Sequence, residues 1–420
     1  MAALRTVVVG GGIVGLSVAH ELRSRGREVL VLDRAPIFDS ASCGNAGMLS
    51  IGHPPLTVPG VSWKGLKWMF SRTSPLYIRP RLSAELLGWL WTFHRHCNAG
   101  WFDRCMQVLC AAGPLTLAAY ERWIDEIGIS CGYTRSGWLD VCLGPQSLEQ
   151  GIREAQAVER SGYRHAVLSG AELRARCGAF GPAVHGAVHW LGSANFHPRE
   201  FMVQFARAVQ SRGVRLRTDA EVAEIVLDNS RNARGVRLVT GEEIEADELV
   251  LAAGVWSGVL ALQTGLDLRM MGARGYHVQL EGVEFMPWTA GVIADTKVAF
   301  TPMGSQLRLA GTLEIAPPGL PWIRRRVDNL LRVARQHLRG LEKARAVEEW
   351  AGYRPCTCDG MPVVGPHPTI SGLWIGTGHA MLGMTLGPIT GIVLAQMMCG
   401  EPLSLDAAML SPARLADRRR

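Results

Sequence analysis

Three glycines near the start of the chain have the spacing of a phosphate-binding turn. Gly10, Gly12 and Gly15 follow a short β-branched run and precede apolar residues at helical spacing. Gly10 permits a tight turn, Gly12 lets the backbone approach a pyrophosphate, and Gly15 lets the helix pack close to the strand. The helix presents free N–H groups to the phosphates. The pattern predicts a dinucleotide site that includes Ile13 and Val14; the alternative is a glycine-rich turn without a ligand.

An acidic residue completes this unit. A second apolar strand, residues 28–32, ends at Asp33, where a carboxylate can accept hydrogen bonds from a ribose. Strand, glycine turn, helix, strand and acid together form the context in which the glycine motif is informative. We therefore predict a Rossmann-like βαβ unit, with Asp33 and the adjacent Arg34 at the ligand.

The composition bounds the class of protein that positions this site. The chain has 420 residues, 48% hydrophobic and 19% charged, which favours two folded domains and excludes disorder as the main state. The net charge of +7 suits an anionic partner without choosing among cofactor, substrate, membrane and nucleic acid. No motif of basic residues interleaved with aromatics is present, so we expect no nucleic-acid partner.

The cysteines and the termini indicate the compartment. Ten cysteines in a chain of this length do not form a disulfide framework, and Cys356 and Cys358 have no second pair at zinc spacing. We expect reduced thiols, no metal site and a cytoplasmic protein without a targeting signal. The uncharged stretch 373–399 is long enough to span a bilayer, but its glycines favour a strand, a loop and a buried helix.

The rest of the chain divides into two kinds of segment. Pro198 opens a predicted helix, which is followed by a parallel strand, an antiparallel meander and a buried strand at 246–254 that returns to the first sheet. Residues 51–196 are too many for a loop. Residues 269–350 are strand-rich until about 313 and then helical. The last two regions should form a second domain.

Four segments in this order resemble a known family. They read GGGIVGLSVAHEL…VLVLDR, ADELVLAAGVWS, WAGYRPCTCDGMPVVGP and LWIGTGHAMLGMTLGP. Together they resemble the FAD-dependent amine oxidoreductases of the D-amino-acid oxidase superfamily, along essentially the whole chain. Residues 44–50 (GNAGMLS) and 63–78 (WKGLKWMFSRTSPLYI) are most similar to bacterial D-amino-acid dehydrogenases, of which the D-hydroxyproline dehydrogenases are a close branch.

The resemblance implies the fold and the cofactor. It implies an α/β protein with a discontinuous, Rossmann-like FAD-binding domain (1–50, 197–268 and 351–420) and an α+β substrate domain with an antiparallel sheet (51–196 and 269–350). It implies FAD, held without a covalent bond because neither Cys356 nor Cys358 has the spacing of the flavin-linked cysteine of sarcosine oxidase. Besides the residues of the βαβ unit, the implied FAD contacts are Asn45, Ala46, Met48, Val222, Ala253, Gly254, Gly376, Gly378, Leu382, Gly383, Met384 and Thr385.

The resemblance also implies a substrate anchor. In the oxidase branch, the Arg of an R-P-x-x-x-D-G pattern grips the substrate carboxylate, and Arg354 occupies that position here. A guanidinium fork matches a carboxylate in a bidentate way that Lys cannot. The alternative is a structural ion pair with Asp359 or a nearby Glu. The oxidase branch carries a Tyr where this chain has Ala299. The other predicted substrate contacts are Tyr276, His277, His53 and His379; for the last two, the alternative is a buried structural histidine.

The implied reaction is the oxidation of an amino acid at its α-carbon. A hydride passes to flavin N5 once the amine is neutral, so positioning dominates and we expect no general base. The predicted substrate is a D-amino acid, best D-hydroxyproline or D-proline, oxidised to a pyrroline carboxylate, with electrons passed to a quinone or another respiratory-chain acceptor. The alternatives are a broad D-alanine-type dehydrogenase, an oxidase of the glycine or sarcosine type that uses O₂, a tRNA-modifying flavoprotein, and a flavin-binding scaffold without turnover.

Residues 61–105 combine aromatic and basic side chains. This composition suits an anionic interface and predicts peripheral contact with the inner face of a membrane. The alternative is that the tryptophans belong to the core of the second domain and the bases to a solvated face. The tryptophans are Trp63, Trp68, Trp89, Trp91 and Trp101.

Overall fold

The computed structural model describes residues 4–61, 76–79, 81, 83–159 and 161–416. Ten α-helices lie in these ranges. They are α1 (Ile13–Ser24), α2 (Ala84–His96), α3 (Ala99–Ile127), α4 (Pro145–Glu159), α5 (Gly170–Arg176), α6 (Pro198–Ser211), α7 (Ser257–Gln263), α8 (Arg324–His337), α9 (Gly383–Cys399) and α10 (Ala413–Ala416).

The described strands form two large sheets, a meander and a two-stranded pair. The first ten are β1 (Arg5–Val9), β2 (Glu28–Leu32), β3 (Met48–Leu49), β4 (Leu76–Ile78), β5 (Trp138–Cys142), β6 (His165–Ser169), β7 (Gly186–Trp190), β8 (Ala194–Asn195), β9 (Arg215–Arg217) and β10 (Val222–Leu227). The others are β11 (Ala233–Leu238), β12 (Glu243–Glu245), β13 (Glu248–Leu251), β14 (Met270–Glu281), β15 (Ala290–Ile293), β16 (Val298–Met303), β17 (Gln306–Ile315), β18 (Arg345–Thr357), β19 (Val363–Pro366) and β20 (Leu373–Thr377).

The first sheet confirms the predicted Rossmann-like unit. Its order is β19-β20-β13-β1-β2-β9, and all neighbours are parallel except β19 and β20. Val9 lies beside Leu251 on one side and Leu32 on the other, so the three central strands end at one edge. In sheets of this kind, ligands bind outside the carboxyl ends of the strands.

The apolar segment near the C-terminus is a core element of this sheet's layer. Residues 373–399 form β20, a short 3₁₀ turn and α9, as the glycine pattern predicts. Helix α9 is long and apolar enough to span a bilayer, but most of it is buried against α1 and α3. Two glycines allow the close approach: a Cβ at Gly391 would lie 2.5 Å from Ser17 Cβ, and one at Gly387 would lie 2.8 Å from Ile13 Cγ1.

The second large sheet lies opposite the first sheet. Its order is β18-β14-β17-β16-β15-β5-β7-β6, with β4 beside β17. It is antiparallel except for the pairs β5–β15 and β4–β17. One face packs on α8 through a cluster that includes Val278, Leu309, Val327 and Leu330, and the other face looks towards the first sheet. Because side chains alternate along a strand, this assignment decides which residues reach the space between the sheets.

Two features cut across the predicted domain division. All strands of the first sheet come from the segments 1–50, 197–268 and 351–420. Strand β18, however, runs from Arg345 to Thr357 and continues past residue 350. Helix α3, from the segment 51–196, places Tyr120 and Trp123 in the same core as α1 and α9. The exact domain boundaries stay a prediction.

Candidate active site

A cavity of about 2310 Å³ lies between the two large sheets. Small-molecule sites usually enclose roughly 300–1,000 Å³, so this cavity has room for a dinucleotide and a further small molecule. The carboxyl edge of the first sheet and the inner face of the second both line it. Residues from the glycine turn, the 44–54 segment, β5, β16, β18 and the start of α9 contribute to its wall.

The glycine turn is built as the motif predicts. Gly10 has a φ of +111°, and a Cβ there would lie 2.4 Å from the carbonyl oxygen of Ala252. A Cβ at Gly15 would lie 1.8 Å from the carbonyl oxygen of Gly10, so Gly15 is a packing position behind the cavity wall. At Gly12 the nearest atom to a Cβ is Ser42 Oγ, at 3.3 Å. The space over Gly12 therefore opens on the cavity, where a ligand can approach the backbone.

Two helix N-termini line the cavity without a side-chain cap. Helix α1 begins after Gly12 and α9 begins after Leu382, and neither cap residue accepts a side-chain hydrogen bond from its helix. In contrast, Ser83 caps α2 and Asn98 caps α3. The first N–H groups of a helix lack intrahelical partners and carry the positive end of its dipole. The two uncapped ends favour anionic groups of a ligand; one N–H, that of Ile13, donates to Ser42 Oγ at 3.0 Å.

Asp33 is held at the wall by backbone donors. The N–H of Gly11 donates to Oδ2 at 2.6 Å, and the N–H of Ala35 donates to Oδ1 at 3.0 Å. The neighbouring Arg34 guanidinium lies 3.4 Å from the centre of the Trp256 ring. This fixes the carboxylate near the glycine turn, where a ribose can donate to it. Val222, Ala253 and Gly254 line the same end of the cavity.

Buried hydrogen bonds hold the 43–48 segment on the second sheet. Arg308 Nη1 donates to the carbonyl oxygens of Asn45, at 2.6 Å, and Cys43, at 3.1 Å. Asn45 also accepts the N–H of Gly47 on its side chain, at 2.8 Å. These bonds place Asn45, Ala46 and Met48 at the cavity wall.

The predicted cofactor residues of the C-terminal glycine block, 376–385, do not all line the cavity. Gly376, Leu382, Gly383, Met384 and Thr385 line the cavity, as expected for a segment around a bound ring. Gly378 is absent from that wall. It has a φ of +81°, and a Cβ there would lie 2.7 Å from Thr357 Cγ2, so it forms a turn that presents its neighbours. With this exception and Gly15, the predicted cofactor residues surround one space, and they fit FAD.

Arg354 reaches the cavity from β18. Its guanidinium lies over Gly275, where a Cβ would be 2.0 Å from Nη1. Nη1 donates to the carbonyl oxygen of Thr312 at 3.0 Å. Thr312 has a φ of +62°, which is rare for a β-branched residue and is the kind of local strain found at functional sites.

The charge of Arg354 is not neutralised by any carboxylate of the described residues. Within the described ranges, the guanidinium forms no ion pair with a carboxylate. The predicted alternative partner, Asp359, instead accepts from Arg414 Nε at 2.8 Å. Burial lowers the pKa of Arg354 from its ordinary value. A buried cation without a counter-ion is costly, and an anionic ligand in the cavity relieves that cost.

Two predicted substrate residues do not offer polar groups to the cavity: Tyr276 lines the cavity but its hydroxyl bonds elsewhere, and His277 is not part of the lining. The Tyr276 hydroxyl contacts the buried Glu314 carboxylate, accepts the N–H of Ile323 at 3.2 Å and belongs to the core under α8. Tyr276 points away because strand alternation puts Gly275 and His277 on the inner face instead. The His277 side chain is covered by other groups. Its Nδ1 lies 3.0 Å from the carbonyl oxygen of Gly44, and its ring stacks on Trp350 with the ring centres 5.1 Å apart. Neither side chain has a polar atom for a substrate in the cavity.

The other two predicted histidines line the cavity. His53 Nδ1 lies 2.8 Å from the carbonyl oxygen of Pro54, and burial lowers its pKa from the ordinary value. His379 Nε2 lies 2.8 Å from Thr390 Oγ1, and burial lowers its pKa to about 4. Both rings are therefore neutral near pH 7. Ala299 also lines the wall, on β16.

Sequence reasoning missed Trp350 and Trp256. The Trp350 indole fills the space left by two glycines, since a Cβ at Gly44 or Gly352 would lie 2.2 Å from it. A signal for it existed: it stands four residues before Arg354 on one strand and so shares its face. Trp256, which stacks on Arg34, follows a predicted strand but carries no pattern that marks it.

Comparisons with known proteins agree with this geometry. Residues 5–397 match the model of the family described as FAD dependent oxidoreductase. A D-amino acid dehydrogenase from Methylobacterium nodulans is 30% identical over 422 residues, which cover 98% of this chain and 99% of that protein. One from Cereibacter sphaeroides is 30% identical over 427 residues, which cover 99% of this chain and 97% of that protein.

Solved structures share the fold at lower identity. Glycine oxidase from Geobacillus kaustophilus has a TM-score of 0.77 and 23% identity, covering 98% of this chain and 99% of that one. L-proline dehydrogenase from P. horikoshii has a TM-score of 0.75 and 17% identity, covering 99% of this chain and 98% of that one. Because the family match spans nearly the whole chain and the cavity has the walls that a flavin dinucleotide needs, this protein is an enzyme of the FAD dependent oxidoreductase family.

Proposed function

We propose that this enzyme is a D-amino-acid dehydrogenase. The observation that carries the proposal is the Arg354 guanidinium, which forms no ion pair among the described residues and lies in a cavity that fits FAD. A guanidinium fork binds a carboxylate with two parallel hydrogen bonds and so orients the rest of the molecule. The D-amino acid dehydrogenases that match over the full chain support the D configuration.

The residues of this chain would act by binding and orientation. Arg354 would hold the substrate carboxylate, with Thr312 holding the guanidinium in place. The apolar wall around it excludes water and strengthens that contact. Bound FAD supplies the acceptor for the hydride and its two electrons. His53 and His379 are neutral, and neither is hydrogen-bonded to an acid in the part of the chain that the structure describes, so we expect the substrate amine to arrive neutral or lose its proton to solvent.

The finer proposal is that the substrate is a cyclic secondary amine, with D-hydroxyproline or D-proline as the best candidates. Its support is the resemblance of residues 378–388 (GHAMLGMTLGP) to the hydroxyproline-type relatives. Of the side chains proposed to meet a ring hydroxyl, His53 lies at the cavity wall, and its Nε2 forms no hydrogen bond within the described ranges. A D-alanine-type dehydrogenase of broad specificity is the second candidate, because Ala299 and Ala310 leave the wall opposite the flavin end without polar side chains.

Anaerobic reduction of the bound flavin tests both proposals. D-hydroxyproline, D-proline and D-alanine are mixed with the purified enzyme, with their L-isomers as matched controls, and the loss of flavin absorbance is followed. Bleaching by D-isomers is expected, fastest with the cyclic amines. Bleaching by L-isomers alone would overturn the D-amino-acid proposal. A tenfold higher rate with D-alanine than with either cyclic amine would overturn only the finer one.

We also propose that the electrons leave to a quinone at a membrane rather than to O₂. Helix α2 supports this, because Leu87 and Trp91 are 65% and 64% exposed. The same helix lines the cavity with Leu90 and Phe93. Two other tryptophans of the predicted surface are anchored inside: Trp89 Nε1 donates to the carbonyl oxygen of Cys356 and Trp101 Nε1 to that of Asp359. Trp63 and Trp68 lie outside the described residues.

Two measurements test this part. Peroxide formation during turnover in air should be slow compared with turnover on a quinone analogue. The protein should co-sediment with anionic liposomes at low salt, and Trp91→Ser should weaken this binding. Trp322→Ser is the matched control, because Trp322 is also exposed but lies elsewhere. Equal loss in both variants, or no binding by the native protein, would contradict a surface on α2. Binding at α2 is compatible with a cytoplasmic protein that associates peripherally with the inner face of the membrane.

A further inference from the structure

The cavity contains a second charged side chain that the proposed reaction does not use. Asp140 lies on β5 and lines the cavity. Its carboxylate lies beneath α4: a Cβ at Gly151 of that helix would be 3.9 Å from Oδ2 of Asp140. Within the part of the chain that the structure describes, this carboxylate has no hydrogen bond and no ion pair. Burial, with Glu154 and Asp295 nearby, raises the pKa of Asp140 to about 6 against the opposing effect of Lys297.

The strand register places Asp140 on the same face as the substrate end. Trp350 pairs with His277, His277 with Ala310, and Ala310 with Ala299. The row continues from Ala299 through Val292 to Asp140. Residues paired across a sheet share a face, so this row forms a floor across the sheet.

The side chains of this floor are short between Arg354 and Asp140. Ala310, Ala299 and Val292 are small, and all three line the cavity. The Arg354 guanidinium already reaches β17 through Thr312, three strands from β5. Neighbouring strands lie about 4.8 Å apart, so the gap between the axes of β17 and β5 is roughly 14 Å. An extended amino acid with a long side chain can fill such a gap.

Among the described residues, the nearby bases form no ion pair with Asp140. Lys297 lines the same end of the cavity but is exposed and forms no ion pair with Asp140 among the described residues. Arg153 also lines it and lies 3.8 Å from Glu149. Trp138 and Trp190, stacked at 5.7 Å, form an apolar wall beside the carboxylate. A carboxylate among aromatic rings is a site for a cationic group.

We propose that Asp140 is a specificity residue that binds the distal cation of a long D-amino acid, so that D-arginine and D-lysine are further substrates. The proposal rests on the proposed function, since it needs Arg354 to hold the carboxylate at the other end. The cation and Asp140 form a charge-assisted hydrogen bond, while Arg354 and the floor align the α-carbon as for smaller substrates. A long neutral side chain meets the same floor without this bond.

The test compares D-lysine with D-norleucine, which lacks only the terminal amine. In the native enzyme, kcat/KM for D-lysine should exceed that for D-norleucine. Asp140→Asn should lower this ratio roughly 10- to 100-fold, the range of a hydrogen bond to a charged group. Glu159→Gln is the matched control: it removes an exposed acid from the end of α4, changes the net charge equally and should leave the ratio within about twofold.

The outcomes separate this inference from the proposed function. If D-proline or D-alanine reduces the flavin but D-arginine and D-lysine do not, the enzyme assignment stands and the Asp140 site is wrong. If Asp140→Asn lowers kcat/KM equally for D-lysine and D-norleucine, Asp140 is structural and the site is again wrong. If no D-amino acid reduces the flavin, the proposed function itself fails. Flavin content and thermal melting of Asp140→Asn are measured so that a folding defect is recognised as evidence against a specificity role.

Discussion

The two ends of the cavity are built in different ways. At the dinucleotide end, backbone groups of one continuous βαβ unit form most of the site. For example, the Gly11 N–H donates to the Asp33 carboxylate, 22 positions along the chain. At the substrate end, residues from distant strands meet, and Arg354 on β18 donates to the carbonyl oxygen of Thr312 on β17, 42 positions away. A site made of local backbone can be recognised from a motif. A site made of long-range side-chain packing depends on which face each strand presents.

The largest effect is expected at the dinucleotide end. Gly15→Val should yield no stable folded protein, because even a Cβ would overlap the Gly10 carbonyl oxygen at 1.8 Å; the loss should exceed about 4 kcal/mol of unfolding free energy. Gly12→Ala should fold but bind FAD at least about tenfold more weakly, since its new methyl occupies ligand space. Circular dichroism and flavin content distinguish the two. Native FAD affinity in Gly12→Ala would show that the ligand does not approach there.

The next effect is at the substrate end. Arg354→Ala should keep FAD and lose kcat/KM by roughly 30- to 5,000-fold, because removing one partner of a buried charge pair costs about 2–5 kcal/mol. Arg354→Lys should recover only part of this, since an ammonium lacks the bidentate fork. Steady-state kinetics with an artificial dye as acceptor measure it. A variant within threefold of the native enzyme would show that Arg354 is not the carboxylate anchor.

A smaller loss of kcat/KM should follow when the Arg354 guanidinium is displaced but not removed. Gly275→Ala places a methyl 2.0 Å from the present position of Nη1, so the guanidinium must shift. A misplacement of this size should cost about 10- to 100-fold in kcat/KM, mainly through KM, with FAD retained. Gly144→Ala is the matched control, because a Cβ there meets nothing within 4 Å. Equal kinetics in the two variants would mean that the guanidinium has other productive positions.

The smallest kinetic effect is expected at Tyr276. Tyr276→Phe should leave kcat/KM within about threefold but lower the free energy of unfolding by about 1–3 kcal/mol, because the buried Glu314 loses its hydroxyl partner. Urea denaturation and kinetics on the same preparation check both. A tenfold loss of kcat/KM at native stability would return Tyr276 to the substrate site.

The glycine motif predicted the arrangement of its own residues as well as the place of the site in the chain. Gly10, Gly12 and Asp33 take the positions that the spacing implies, because φ, helix dipole and strand ends are set within about 25 residues. The helix at Pro198, the meander and the buried strand after it also form as predicted, and the strand joins the first sheet. Each of these elements has its own start and stop signals and an apolar period of its own.

The substrate end resisted prediction for a physical reason. A strand of period two offers two possible faces, and nothing in the run Gly275–His277 says which one meets the ligand. The pairing of β14 with β17 and β18 decides it, sending Tyr276 to Glu314 and leaving His277 beneath Trp350.

The chain's own residue order thus specifies the dinucleotide turn, its acid and the apolar elements of both sheets, because these depend on neighbours in sequence. Only the tertiary structure decides that Arg354 and Asp140 share one cavity and that neither forms an ion pair within the described residues. Charge compensation acts through space and not along the chain, so the fate of a buried charge cannot be read before the sheets are assembled.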